Sequence, residues 1–173
     1  MGDFSMFGFN KKGQGATEYL VLLAVVLIVA MVAIALLGFF PGLAGDAKIS
    51  QSDTYWRGSA RPFAILEHSF VSDNQNLTVV LQNVDSDQRE VTEMSIAGSG
   101  FNGIANSTAG GVLSSSNTRF FSAGEKKTLK VEMSGNCTSG TIYEFMINFT
   151  YNTNSGLTGL KQYGEKALVG KCS

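Results

Sequence analysis

Residues 11–43, KKGQGATEYLVLLAVVLIVAMVAIALLGFFPGL, decide how the rest of the chain is read. Lys11, Lys12 and Gly13 come first, Glu18 places one carboxylate at the border of the apolar run, and no further charge follows until Asp46. From Tyr19 to Leu43 the run is 25 residues long. At about 1.5 Å per residue, a helix of that length crosses a bilayer core of about 30 Å. A helix satisfies its backbone groups internally, which in lipid outweighs the roughly few tenths of a kcal/mol that each Val or Ile costs in helix propensity. A cleavable secretory signal has an apolar core of about 7–15 residues, so this run is too long for one, although Gly42-Leu43-Ala44 is a passable small-x-small site. A buried core helix would need a large surrounding protein, and the residues that follow have a strand pattern. A membrane anchor remains, and the N-terminal edge bears on its kind.

A carboxylate in a membrane span costs on the order of 2.5 kcal/mol or more at mid-bilayer, less near an interface, so it ordinarily has a partner. No cation lies within helical reach of Glu18 on the apolar side. Cleavage after Gly13 would create one, because the new amino group on Gln14 is protonated near neutral pH.

The stretch GQGATEYLVL resembles the N-terminal signature of archaeal type IV-like pilins, the Q-x-S-x-E-x-x-x-L class of class III signal peptides. Gln14, Glu18 and Leu22 stand at the first, fifth and ninth positions of that pattern, and Ala16 stands where Ser is usual. Lys11-Lys12-Gly13 resembles the basic, glycine-ended cleavage site of a prepilin leader. The resemblance implies that a membrane prepilin peptidase cuts before Gln14, and that the helices then pack into the core of a homopolymeric filament with Gln14, Glu18 and Leu22 at the assembly contacts. It also implies a major structural subunit of an adhesive surface filament. The precursor would sit in the cytoplasmic membrane, its N-terminus held inside by the lysines. Two other readings stay open: an anchored surface domain that binds a partner without polymerising, and a minor pilin-like subunit.

The chain has 173 residues and a formal net charge of −1. Removing residues 1–13 takes away Asp3, Lys11 and Lys12, leaving 11 basic and 13 acidic residues, or −2. That balance carries no electrostatic footprint for nucleic acid. Charged residues are sparse at 16%, while Gly, Ser, Thr and Asn are plentiful, which suits an exported β-rich domain. MGDFSM fails the myristoylation pattern because Met6 occupies the Ser/Thr position. Met6 is also an alternative start, giving the leader MFGFNKKG.

Pro41 removes a helical hydrogen bond, so a kink is expected there. Residues 44–62, AGDAKISQSDTYWRGSARP, read as a second, amphipathic helical piece, with Trp56 packing the helix against the next domain and Gly58 and Pro62 ending it. Beyond Pro62 the period becomes two: Leu77, Val79 and Leu81 alternate with polar residues, as do Leu129, Val131 and Met133, and Tyr143, Phe145, Ile147, Phe149 and Tyr151. With 63–71, 90–97 and 160–169, this predicts six or seven short strands and an immunoglobulin-like β-sandwich. Residues 98–118, 21 in number, break the rhythm and read as a surface loop. The fold class is α+β: a leader over 1–13, a hydrophobic helix over 14–60, and an all-β sandwich head over 61–173.

Cys137 and Cys172 are the two cysteines, and in an oxidising compartment a bridge between them is the default, two buried thiols the alternative. Four N-x-S/T sequons occur, at Asn76, Asn106, Asn136 and Asn148, and the pilin resemblance implies surface N-glycosylation. Asn76 and Asn148 fall on the polar phase of their strands. The one histidine, His68, lies between Glu67 and Ser69 and reads as a structural or surface residue. No phosphate loop, nucleophile elbow or metal cluster is present in the sequence. The expectation is a structural protein with no enzymatic activity, no cofactor and no metal.

Overall fold

The computed structural model describes residues 14–106, 112–113 and 115–173, without the side chains of Gln14, Ala16, 38–42, Asn106 and Ser116. The expected leader, with Lys11, Lys12 and Gly13 of the cleavage site, lies outside the described residues. Two compact units divide the chain, Met1–Ala44 and Gly45–Ser173.

The first unit is carried by helix α1, Gln14–Thr54, whose last turns belong to the second. Its Thr17–Leu37 segment, 21 residues, is long and apolar enough to cross a membrane, and every described side chain in it is exposed. The kink expected near Pro41 falls at residues 38–42, whose side chains are not described.

The second unit begins with the end of α1, continues through a π-helical turn at Tyr55–Ser59, and then forms two antiparallel sheets. The strands are β1 (Phe63–Phe70), β2 (Asn76–Asn83), β3 (Arg89–Gly98), β4 (Phe101–Asn106), β5 (Phe120–Phe121), β6 (Lys126–Glu132), β7 (Ile142–Thr153), β8 (Leu160–Tyr163) and β9 (Leu168–Lys171), with a short helix α2 at Ser116–Arg119. One sheet has the order β1-β2-β6, the other β4-β3-β7-β8; β5 joins β3, and β9 joins the start of β7. If β1, β2, β3, β4, β6, β7 and β8 are lettered A, B, C, C′, E, F and G, this is the strand order of an immunoglobulin-type sandwich.

Alternation produces the core, because successive side chains on a strand point to opposite faces. Leu77, Val79 and Leu81 from β2 face Tyr143, Phe145, Ile147 and Phe149 from β7, all buried. Aromatic pairs join the layers, Phe63 to Phe149 with centroids 5.6 Å apart and Phe70 to Phe145 at 5.8 Å. Such pairs contribute about 0.5–1.5 kcal/mol each beyond their buried area. Cys137 and Cys172 form a disulfide, with Cα atoms 6.1 Å apart and a sequence separation of 35. It ties the β6–β7 connection to the end of β9, and a closed loop of that size stabilises by about 3–4 kcal/mol in the chain-entropy model.

Two expectations need correcting. Nine strands are present among the described residues, where six or seven were expected. Part of the difference lies in residues 98–118, which hold strand β4 and the start of α2 instead of an uninterrupted loop. Gly103 permits this: it bridges Met133, and a Cβ there would lie 2.5 Å from the Met133 sulfur and 3.0 Å from the Glu132 carbonyl oxygen. The rest lies in the two-residue strand β5 and in the stretch 160–169, which is two strands broken at Gly164. A Cβ at Gly164 would sit 2.6 Å from the Ile147 carbonyl oxygen and 2.9 Å from the Trp56 ring. The strand opens there because the indole fills the space.

Candidate functional site

Gln14 opens α1, and Glu18 and Leu22 follow at intervals of four, so the three lie along one side of the helix. Glu18 is exposed, and among the described residues its carboxylate joins no ion pair. Leu22 is 66% exposed, and Tyr19, Leu20, Val21, Val25 and Val26 beside it are more than half exposed. An apolar surface of this extent in water is strongly unfavourable, at about 25 cal/mol per Å². It therefore needs lipid or other helices around it. A lone carboxylate at its border needs a cation when so covered.

The opposite end of α1 is built into the head. Ser52 is buried and its hydroxyl accepts the Val169 backbone N–H at 2.9 Å, while the Tyr55 hydroxyl accepts that of Glu165 at 3.1 Å. These bonds use donors on the outer strand β9 and on the 164–167 break, so the sheet edge is covered rather than left open. Trp56 is fully buried, as its sequence context predicts, with its ring edge-on to Phe149 at 6.4 Å. Gln162, also buried, accepts from the Phe63 N–H and donates to the Phe63 carbonyl, taking the place of a neighbouring strand for that residue.

Beside this joint lies a polar relay. His68 Nδ1 is 2.8 Å from the Tyr143 hydroxyl, and its Nε2 is 3.6 Å from Asp53 Oδ1 on the last turns of α1. Asp53 also lies 4.0 Å from Arg57. Burial lowers the His68 pKa, with Asp53 opposing and Arg57 reinforcing the shift. Burial likewise pushes Tyr143 up to about 12, against a backbone hydrogen bond from Phe70. The neutral imidazole then accepts the Tyr143 proton at Nδ1 and presents Nε2–H to Asp53. Gly170 leaves room for this, since a Cβ there would lie 2.4 Å from the Tyr143 oxygen and 2.7 Å from His68 Cε1. A cleft of about 520 Å³ opens beside it, lined among others by Asp53, Arg57, Glu67 and Lys171. Both ring nitrogens are engaged, so His68 acts here as a structural tie, and no group of side chains suited to a metal occurs among the described residues. Sequence reading singled out His68 but not Asp53, Tyr143, Ser52 or Gln162.

The sequons are dispersed. Asn76 starts β2 opposite Glu132, Asn148 is in the middle of β7, Asn136 is exposed in the turn before Cys137, and the Asn106 side chain is not described.

Residues 11–37 match the family model described as class III signal peptide. The match covers the basic edge, Gln14, Glu18, Leu22 and most of the apolar run. It indicates a type IV pilin-like precursor that is inserted in a membrane and processed by a prepilin peptidase. No curated protein matches the chain.

Proposed function

We propose that this protein is the major structural subunit of an archaeal type IV-like pilus. The peptidase cuts between Gly13 and Gln14, the helices polymerise side by side, and the sandwich heads form the outer surface of an adhesive, N-glycosylated filament. The role is structural, without catalysis. One observation carries the reading: a signal matching the class III model runs into a span whose described side chains are all exposed, and Glu18 at its border joins no ion pair among the described residues. Cleavage supplies the missing cation as the Gln14 ammonium, four residues from Glu18. Within one helix the two groups are about one turn apart and pair poorly. Between helices the pair would set the axial register of an incoming subunit.

N-terminal sequencing of material sheared from the cells that make the protein tests the processing step. A chain beginning at Gln14 is the expected result, and Gly13→Val is expected to leave the precursor intact, because a peptidase site approached closely by backbone has little room for a side chain. A sheared chain that retains Lys11 and Lys12 contradicts the proposal. Cleaved chains that stay in the membrane fraction and never appear in sheared filaments would instead indicate an anchored, non-polymerising domain.

A further inference from the structure

Among the described residues of Gly45–Ser173, the exposed large hydrophobic side chains are Ile104, Ile142, Met146, Leu157 and Tyr163. Ile142 lies against the end of α1, where a Cβ on Gly45 would come within 2.5 Å of its Cδ1. The others sort into two places. Ile104, Met146 and Tyr163 lie on the outer face of the β4-β3-β7-β8 sheet, exposed by 63%, 44% and 62%. Ala97, also exposed, links them: it pairs directly with Met146, and it pairs with Asn102, two residues before Ile104 on the same face. Tyr163 pairs with Asn148, two residues after Met146. Diagonal neighbours on one face lie about 7–8 Å apart, within reach of long and aromatic side chains. Ile104, Ala97, Met146 and Tyr163 therefore form a diagonal apolar stripe across four strands.

Leu157, 59% exposed, stands apart at the tip of the turn between β7 and β8. Its N–H donates to the Thr153 hydroxyl at 3.1 Å, and its carbonyl accepts the Thr153 N–H at 2.8 Å. The Gly159 N–H donates to the Asn152 side-chain oxygen at 2.9 Å. These bonds hold the turn closed around Leu157, so little conformational entropy is lost when the leucine meets a partner. Residues 154–159, NSGLTG, carry no charge. From Met146 to Thr153 strand β7 is extended, at about 3.3 Å per residue, which puts the tip about 20 Å from Met146 and out of reach of its own stripe.

We infer that Leu157 of one copy docks on the Ile104, Ala97, Met146 and Tyr163 stripe of the next, a contact repeated from head to head. Two different patches of one chain make a heterologous contact, and one that does not close into a ring propagates as a filament. The size of the contact points to a second copy as the partner. One leucine against four side chains falls far short of the roughly 800 Å² per partner that a stable free-standing complex buries. Such a contact holds only where another interaction already keeps the two surfaces together, and a polymer of this chain does so at every repeat. To that extent the inference rests on the proposed function: the spans hold the subunits together, and the heads add a second point of register. Asn148 lies beside both Met146 and Tyr163, so a glycan on it would keep Leu157 off the stripe. This sequon is therefore bare wherever the contact forms.

Thiol cross-linking of the full-length protein on its native cells tests it. The double variant Met146→Cys with Leu157→Cys, treated with a short bismaleimide, should give a ladder of dimers, trimers and higher multimers in sheared filaments. Cys137 and Cys172 are held in the disulfide and do not react. Each single variant should stay monomeric, since neither site meets its own kind. Dimers from Met146→Cys alone would place stripe against stripe and overturn the inference. Monomers alone from the double variant, in filaments or in the membrane fraction, also overturn it, and filaments built of such monomers leave the proposed function intact. A ladder from chains that stay in the membrane and never form filaments supports the contact and contradicts the proposed function. A glycan mapped to Asn148 in parent filaments overturns the inference. A second variant, Leu157→Asp, changes only an exposed turn residue and should leave the folding of the head unchanged. Its filaments should dissociate at a lower temperature than the parent's or fail to form, and adding Met146→Lys should restore them through an ion pair. Leu157→Asp filaments as stable as the parent's would overturn the inference.

Discussion

Thr17–Leu37 and Gly45–Ser173 sort their apolar side chains in opposite ways. In the first, Leu20, Val21, Leu22, Ile28 and Met31 are all more than half exposed. In the second, Trp56, Phe63, Phe70, Tyr143, Phe145 and Phe149 are at most 2% exposed. The same force acts on both, since apolar area leaves water wherever it can. The head satisfies it within one chain by folding strands of period two into facing layers. The span has a single helix, apolar all round, and satisfies it only with lipid or with other helices. The head is therefore a unit of folding and the span a unit of insertion and, in the proposed filament, of assembly.

The largest effect separating them should come from Trp56. Replacing a buried Trp by Ala costs about 3–5 kcal/mol, so Trp56→Ala should lower the denaturant midpoint of the head sharply. Leu27→Ala, in the exposed span, should leave that midpoint where it was. Intrinsic fluorescence is unsuitable once the one tryptophan is gone, so circular dichroism of detergent-solubilised chains is the measurement. By the same contact, a fragment starting at Gly45 should be more stable than one starting at Ser59, which lacks the indole. Equal midpoints would mean that the last turns of α1 contribute nothing to the head.

Next comes the disulfide. Cys172→Ser should cost about 3–4 kcal/mol by the loop-closure estimate, again in the head alone. Non-reducing peptide maps should show Cys137 joined to Cys172, and two alkylatable thiols in the native protein would contradict the bridge.

The smallest effect is that of pH on the joint. The His68 pKa is lowered in the folded head from its ordinary 6.5. The unfolded chain therefore binds the proton first as pH falls, and stability declines from pH 6.5 downward through the folded value. Above 6.5 the contribution is fully present. Denaturation midpoints measured between pH 7.5 and pH 5 should fall for the parent and fall less for His68→Gln. Tyr143, raised from 10.0 to about 12, acts at the other end: its contribution is present below pH 10 and declines as pH rises through about 12. Parallel acid profiles for parent and His68→Gln would remove His68 from the account.

Much of this was legible because periodicity is a local property. The span is visible in an uncharged run, and β2, β6 and β7 are visible in strict alternation such as Leu77, Val79 and Leu81. The disulfide followed from having two cysteines in a chain read as exported. What escaped reading depends on contacts distant in sequence. Strand β4 is written FNGIAN, and its glycine resembles loop composition until Met133 is seen against it. The division between β8 and β9 is set by Trp56, more than a hundred residues away in sequence. His68 looked isolated because its partners, Asp53 and Tyr143, come from a helix and from another sheet. Gln162 reads as an ordinary surface amide, and only the fold shows it hydrogen-bonded to the backbone of Phe63.

The central claim is that the exposed span is an assembly surface whose register depends on one carboxylate, and electron microscopy of material sheared from Glu18→Ala cells tests it most directly. Removing the carboxylate leaves the Gln14 ammonium buried without a partner, a cost of about 3–5 kcal/mol for a broken buried pair. The variant should insert, be cleaved before Gln14 and accumulate in the membrane while yielding no filaments, with Glu18→Asp intermediate because its carboxylate is one methylene short. A plain anchor behaves otherwise, since losing a charge at the membrane edge is neutral or mildly favourable to insertion. Abundant filaments of normal appearance from Glu18→Ala cells would contradict the claim.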